Sequence, residues 1–263
     1  MPAVPPAKAA VVSVTRTRYP RWAIPAGHLL LLWHCFGRIG VLRNSMVRLV
    51  FLRQVYFAGV QGLRAIGLIA FALGALVITQ ATLLLGVGNS YLYDILGWIL
   101  VTGAAPLFVA VVFIGRSATV MSTELALMRV RGEMRHLEHM RIDPRDYLVL
   151  PRIAALTVSL LAATFYYQVI AVTGGFAVSA LLLHVTFLEQ MQLLLEALSP
   201  SAILLVVTKI VVFGLAIGTI ACFSGLYAGD TINDVPRAQI TAFMRSLIWL
   251  VILDLLFAVA TFA

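Results

Sequence analysis

The chain has 263 residues, 62% of them apolar and 11% charged, with a mean hydropathy of +1.00. Soluble domains carry about a quarter charged residues, so this composition reads as an all-α integral membrane protein of one domain rather than a soluble enzyme fold. The net charge of +8 does not point to nucleic acid: nine Lys/Arg fall in residues 1–64, before the first acid at Asp94, and no aromatic residues interleave them as stacking platforms.

Residues 1–25 hold five prolines and four basic residues and read as a disordered cytoplasmic tail, leaving 26–263 as one membrane domain. "HLLLLWHCF" at 28–36 imitates a signal peptide, but "GRIGVLR" follows it instead of a small-residue cleavage site, so it is expected to be retained. Residues 36–64 mix apolar side chains with an arginine every five or so positions, the pattern of a helix lying in the membrane interface. Five uncharged or nearly uncharged runs then approach or exceed the roughly 20 residues a bilayer core requires. They fall at about 65–87, 95–115, 153–183, 201–228 and 246–263. The third is too long for an upright helix and is expected to tilt or protrude, with a bend expected at Gly174–Gly175.

Connections on one side carry the positive charge. Residues 116–152 hold seven Lys/Arg and 229–245 hold two, whereas 88–94 and 184–200 hold none. This alternation predicts a cytoplasmic N-terminus and an external C-terminus.

Between the second and third spans, "MRVRGEMRHLEHMRIDPRD" (128–146) gathers nine of the 30 charged residues. Leu127, Val130, Met134 and Leu137 recur at +3, +7 and +10, one apolar stripe on a helix. Asp143 followed by Pro144 reads as an N-cap and first-turn proline opening a second short helix that ends near Pro151. A solvated loop would serve to join two spans, but a simple connection takes only a few residues, and this length favours a docking element.

No catalytic or phosphate-binding motif accompanies it. The two lysines, Lys8 and Lys209, stand outside any Gly-x-x-x-x-Gly-Lys loop, and no Gly-x-Ser-x-Gly or His-Glu-x-x-His occurs. His136 and His139 share a helix face, but no carboxylate or cysteine joins them at metal-ligand spacing, so no metal is expected. Cys35 and Cys222 read as small buried hydrophobes.

Two charges fall inside spans. Lys209 lies eight residues from the outer start of span four and Asp254 nine from the outer end of span five. At 1.5 Å per residue that is roughly 12 and 13 Å of depth, so an intramembrane pair across the hairpin is expected. The alternatives are a Lys209 that snorkels outward and an Asp254 that lines a cavity. Gln80, a lone polar residue in span one, either bonds a neighbouring helix or faces a lipid path.

"TELALMRVRGEMRHLEHMRIDPRDYLVLPR" (123–152) resembles the central motif of MlaE/YrbE-type permeases, E-[IL]-G-x-M-R-V-T-E-Q-I-D-A-L-E-x-M-G-V-D-P followed by Y-L-V-x-P-R. Glu124, Met128, Arg129, Val130, Leu137, Glu138, Met140, Asp143, Pro144, Tyr147, Leu148, Val149, Pro151 and Arg152 match, and the likeness extends over about 45–260. It implies the permease subunit of an MCE-associated phospholipid ABC transporter in a bacterial inner membrane, the plastid envelope being the second choice. The implied assembly is a homodimer cradling phospholipid, with a cytoplasmic ABC ATPase dimer and a periplasmic MCE-domain protein. ATP and Mg would be bound by the ATPase, so the chain itself would be no enzyme and would carry no cofactor. The segment 123–150 would couple to that ATPase, through Glu124, Met128, Arg129, Glu133, Leu137, Glu138, Met140, Asp143 and Pro144; Gln80 and Pro106 would border the lipid cavity. Two departures stand out: Arg131 to His136 replace T-E-Q-I-D-A, and Thr102-Gly103-Ala104-Ala105-Pro106 replaces R-E-L-G-P. The competing functions are an ATP-independent secondary transporter or channel and a non-transporting membrane anchor.

Overall fold

The computed structural model describes residues 45–86, 90–141, 143–183, 186–197 and 199–262. The expected tail, the apolar run at 28–36 with Cys35, and the first part of the expected interfacial helix lie outside them. All regular structure among the described residues is helical. Five helices are long and apolar enough to cross a membrane: Val47–Leu85, Leu92–Val130, Arg145–Leu183, Pro200–Leu226 and Asp234–Thr261. The chain is a multi-pass, all-α membrane protein.

The α-helical elements are α1 (Ser45–Ala58), α2 (Leu63–Leu85), α3 (Ser90–Leu96), α4 (Ala105–Phe113), α5 (Thr119–Val130), α6 (Glu133–His139), α7 (Leu150–Leu183), α8 (Phe187–Ala197), α9 (Pro200–Leu226) and α10 (Asp234–Phe262). π-helical stretches at Gly97–Ala104 and Ile114–Ala118 join α3, α4 and α5 into one continuous rod.

At the centre stands α7, 34 residues long. At 1.5 Å per residue it spans about 51 Å, well beyond a hydrocarbon layer of about 30 Å. It packs against α1, α2, α4 and α9. It stays α-helical through Gly174–Gly175, where a bend is expected. The glycines permit close packing: a Cβ on Gly175 would stand 2.6 Å from the Gly74 carbonyl oxygen, and one on Gly74 would stand 2.1 Å from that of Ala171. Helices α2 and α7 therefore meet backbone to backbone, the contact that small residues permit in membranes.

The helices outrun the apolar runs that announced them. The second does not stop at 115 but continues through Arg116 to Val130. Arg116 turns inward, its Nη2 donating to the Phe57 carbonyl at 3.4 Å and to Gln61 Oε1 at 3.1 Å. Ser117 and Ser159 hydroxyls donate to the carbonyls of Ala58 and Val55, each at 3.4 Å. These carbonyls belong to the last turn of α1, where that of Val55 also accepts from the Gly59 amide at 2.8 Å, so Arg116 and the two serines close the end of α1 and the charge at 116 does not end a span.

Nor does a short helix end at Pro151. The chain passes from Pro144 through the π-helical stretch Arg145–Val149 directly into α7. The Leu150 amide bonds the Arg145 carbonyl, five residues back, and this wide turn accommodates a proline ring that would otherwise clash with the carbonyl four residues earlier. The last helix begins at Asp234 rather than 246, where Asp234 Oδ2 accepts from the Thr231 hydroxyl at 2.6 Å and the Thr231 amide at 3.3 Å. The connection 184–200 also contains α8, a helix its sequence did not announce.

Candidate functional site

The charged segment forms one end of the bundle. The stripe from Leu127 to Leu137 is not one helix face, because α5 stops at Val130 and Gly132 takes a left-handed φ of 77°. Leu127 and Val130 pack on Ala126, Ala228, Val235 and Ala238, beside the start of α10. Past the turn, Met134 and Leu137 enter a different cluster with Leu148, Val149, Ile153 and Phe223. The break at Gly132 thus lets α6 fold back under α7 and α9 while α5 stays against α10.

Charged side chains fasten this end to three membrane-crossing helices. Arg129 on α5 pairs through Nε with Asp230 at 3.2 Å, and its Nη1 donates to the Leu226 carbonyl at the end of α9. Glu124 on α5 pairs with Arg152 on α7 at 3.1 Å. The Arg152 side chain is 4% exposed and that of Glu124 44%, so the contact sits at the edge of the packed interior. Arg145 Nη2 lies 3.4 Å from the Tyr227 hydroxyl, and Asp143 Oδ1 accepts from the Arg145 amide at 2.9 Å. The Asp143 cap is the first turn of the third span, not of a separate helix.

The coupling candidates therefore divide into two groups. Glu124, Met128, Arg129, Leu137 and Pro144 engage neighbouring helices or are buried. Glu133, Met140 and Asp143 are exposed, Glu138 is half-buried, and Arg131, Arg135, His136 and His139 complete the outward face of α6. Met140 is 61% exposed, an apolar contact point in a charged rim. Arg131 and Glu133 lie 3.8 Å apart, both exposed. Such a pair contributes little to stability, and its charges are available to a partner.

A second polar arrangement lies within the bundle, and a proline causes it. Pro106 has no N–H to give to the Thr102 carbonyl four residues back, or to that of Val101 five back. The π-helical stretch before it shifts the register, the Ala105 amide bonding Leu100. Two carbonyls thereby come free, and other helices supply the donors: Gln168 Nε2 on α7 reaches Val101 at 3.0 Å, and Lys209 Nζ on α9 reaches Thr102 at 3.3 Å. Lys209 also pairs with Asp254 Oδ1 on α10 at 2.6 Å and stands 5.7 Å over the Phe213 ring. Lys209 is 5% exposed and the Asp254 side chain 29%. The structure thus brings Lys209 and Asp254 together and turns Lys209 inward rather than outward.

Pro106 is buried within the chain, whereas Gln80 lies on the exposed face of α2. The two lipid-path candidates are therefore differently placed, one a helix-shaping residue and the other a surface residue. Asp230, Gln168 and the Thr102 carbonyl escaped the sequence reading. The signal for the last was present, since a proline in the middle of a span always frees a carbonyl four residues earlier.

Comparison with known proteins agrees with this architecture. The family described as Permease MlaE matches residues 51–260. A probable ABC transporter permease protein of Rickettsia conorii is 25% identical over 214 residues, covering 81% of this chain and 83% of the relative. The intermembrane phospholipid transport system permease protein MlaE of Haemophilus influenzae is 25% identical over 189 residues, covering 71% and 72%. The chloroplastic protein trigalactosyldiacylglycerol 1 of Arabidopsis thaliana is 30% identical over 154 residues, covering 57% of this chain and 43% of that one. The family match spans most of the chain and reaches all five membrane-crossing helices, and the chain belongs to the MlaE permease family.

Proposed function

We propose that this chain is the membrane subunit of an ATP-driven phospholipid transporter, working as a homodimer in a bacterial inner membrane. Its N-terminus and charged end lie in the cytoplasm and its C-terminus in the periplasm, following the excess of Lys/Arg in 1–64 and 116–152. An ABC ATPase dimer, which binds the ATP and Mg, docks on the exposed face of α6. An MCE-domain protein meets the opposite end, and α1 lies in the cytoplasmic interface.

The observation that carries this reading is the mechanical linkage of α6. Its outward face offers charges and Met140, its Met134 and Leu137 pack under α7 and α9, and on the preceding α5 Arg129 bonds Asp230 and Leu226 and Glu124 bonds Arg152. A partner that moves α6 moves three membrane-crossing helices with it, and packed helices shift as units rather than deforming continuously. A loop with no mechanical duty needs no such fastening. The phospholipid cargo is inferred from the name of the Haemophilus relative, and ATP coupling from that of the Rickettsia relative.

The test is affinity purification of the tagged chain from its own host in mild detergent, with mass spectrometry of proteins and lipids. Co-purification of an ATP-binding subunit and phospholipid is expected. Reproducible recovery of the chain alone would replace the coupled-transporter reading with a self-sufficient carrier or an anchor.

A further inference from the structure

A cavity of about 450 Å³ opens between α1, α5 and the start of α7, beside the charged end. Its polar lining includes Arg53, Gln61, Arg116, Glu124 and Arg152, three guanidinium groups against one carboxylate. Arg152 is 3% exposed and bonds Glu124 through Nη2, while its Nε and Nη1 have no hydrogen-bond partner among the described residues. A buried guanidinium left partly unpaired is costly unless something supplies acceptors. Arg116 commits its Nη2 to Phe57 and Gln61, and the Arg53 guanidinium lies 5.7 Å from the centre of the Phe57 ring. The flank is apolar: Leu49 is 70% exposed and Val120 53%, and both line the cavity.

We propose that this cavity binds the phosphate of an anionic glycerophospholipid, with the acyl chains running out along Leu49, Phe57 and Val120. A phosphodiester supplies acceptors that match the fork of N–H donors on arginine, and its single negative charge offsets one of the two excess positive charges. Free phosphate shares that chemistry and would use the same arginines. The lipid is the occupant argued for because the cavity continues into the apolar surface of α1, where Leu52 and Tyr56 are also exposed. The site is separate from any lipid path between two copies and requires only that α1 meet a membrane. It stands whether or not the chain transports lipid.

The experiment is native mass spectrometry of the full-length chain released from detergent, titrated with palmitoyl-oleoyl phosphatidylglycerol, palmitoyl-oleoyl phosphatidylcholine or inorganic phosphate. Phosphatidylglycerol should be retained in preference to phosphatidylcholine, and Arg53→Gln should weaken it roughly tenfold, as expected for losing a charge-assisted contact. Val120→Trp, which fills the flank without touching a charge, should weaken it as well. These two variants carry the test because Arg116→Gln would also loosen α1. Equal retention of both lipids overturns the proposal, as does retention that responds to neither variant, the behaviour of lipid held only elsewhere. Displacement of phosphatidylglycerol by inorganic phosphate at equal concentration overturns the lipid assignment in favour of a phosphate-only site.

Discussion

Replacing Lys209 with methionine keeps the length and apolar stem of the side chain and deletes its ammonium. Two groups then lose their partner at once: the Asp254 carboxylate at 2.6 Å and the Thr102 carbonyl at 3.3 Å. Stranding one member of a buried ion pair costs about 3–5 kcal/mol. Asp254 retains 29% side-chain exposure, which reduces that cost, while an unpaired carbonyl adds about 1 kcal/mol. Lys209→Met should therefore lower the unfolding free energy by about 2–4 kcal/mol, read by SDS titration of the purified chain in mixed micelles with far-UV circular dichroism. Two further variants separate the contributions. Lys209→Met with Asp254→Leu removes both charges and should recover more than half of the loss, since an apolar pair needs no counter-ion. Pro106→Ala restores an amide four residues after Thr102 and should make Lys209→Met less damaging by about 1 kcal/mol. A Lys209→Met chain within about 0.5 kcal/mol of the parent, inside the usual range for neutral surface changes, would refute the reasoning. So would a loss that Asp254→Leu leaves untouched.

Exchanging the charges, Lys209→Asp with Asp254→Lys, should restore expression lost in either single variant, measured by membrane yield; no restoration would deny the pair a role in assembly. Reversing Arg131 and Arg135 to glutamate should weaken ATPase binding at low salt roughly tenfold, because docking potentials are complementary; unchanged binding in a pull-down at low salt removes α6 from the interface. Gly74→Leu should prevent the α2–α7 contact, since even a Cβ there would stand 2.1 Å from the Ala171 carbonyl oxygen; a monodisperse, fully helical product on size exclusion would contradict that packing. Gly132→Ala should cost about 1 kcal/mol for its left-handed backbone, visible as a lowered midpoint in the same SDS titration; an unchanged midpoint would mean that the turn is not held at φ 77°.

The five spans could be read from the sequence because lipid imposes a length and excludes unpaired charge, and both constraints leave a mark on composition. Where the helices end could not be read, because hydropathy records the limit of the apolar layer and not the limit of hydrogen bonding. Arg116, Arg129, Arg237 and Arg245 all lie on helices that continue past the apolar runs. The ion pair was legible from depth alone, since antiparallel neighbours put residues equally far from one face side by side. Its third member was not, because it is a main-chain carbonyl freed by Pro106 and a change of helical register. That same carbonyl belongs to Thr102, where the family resemblance places the arginine of R-E-L-G-P. A charged pair there is replaced by Thr102 and Gly103; Lys209 donates to the Thr102 carbonyl and Gln168 to that of Val101 beside it. With those polar groups committed to the carbonyls beside Pro106, and with the Thr173 and Thr208 hydroxyls bonded back to their own helix, Gln80 on the exposed face of α2 stands apart. A polar side chain facing outward from a membrane-crossing helix is costly against lipid tails and is relieved by water, a headgroup or another copy of the chain. If the chain works as the proposed homodimeric lipid permease, the face of α2 around Gln80 is where the second copy or the lipid would meet it.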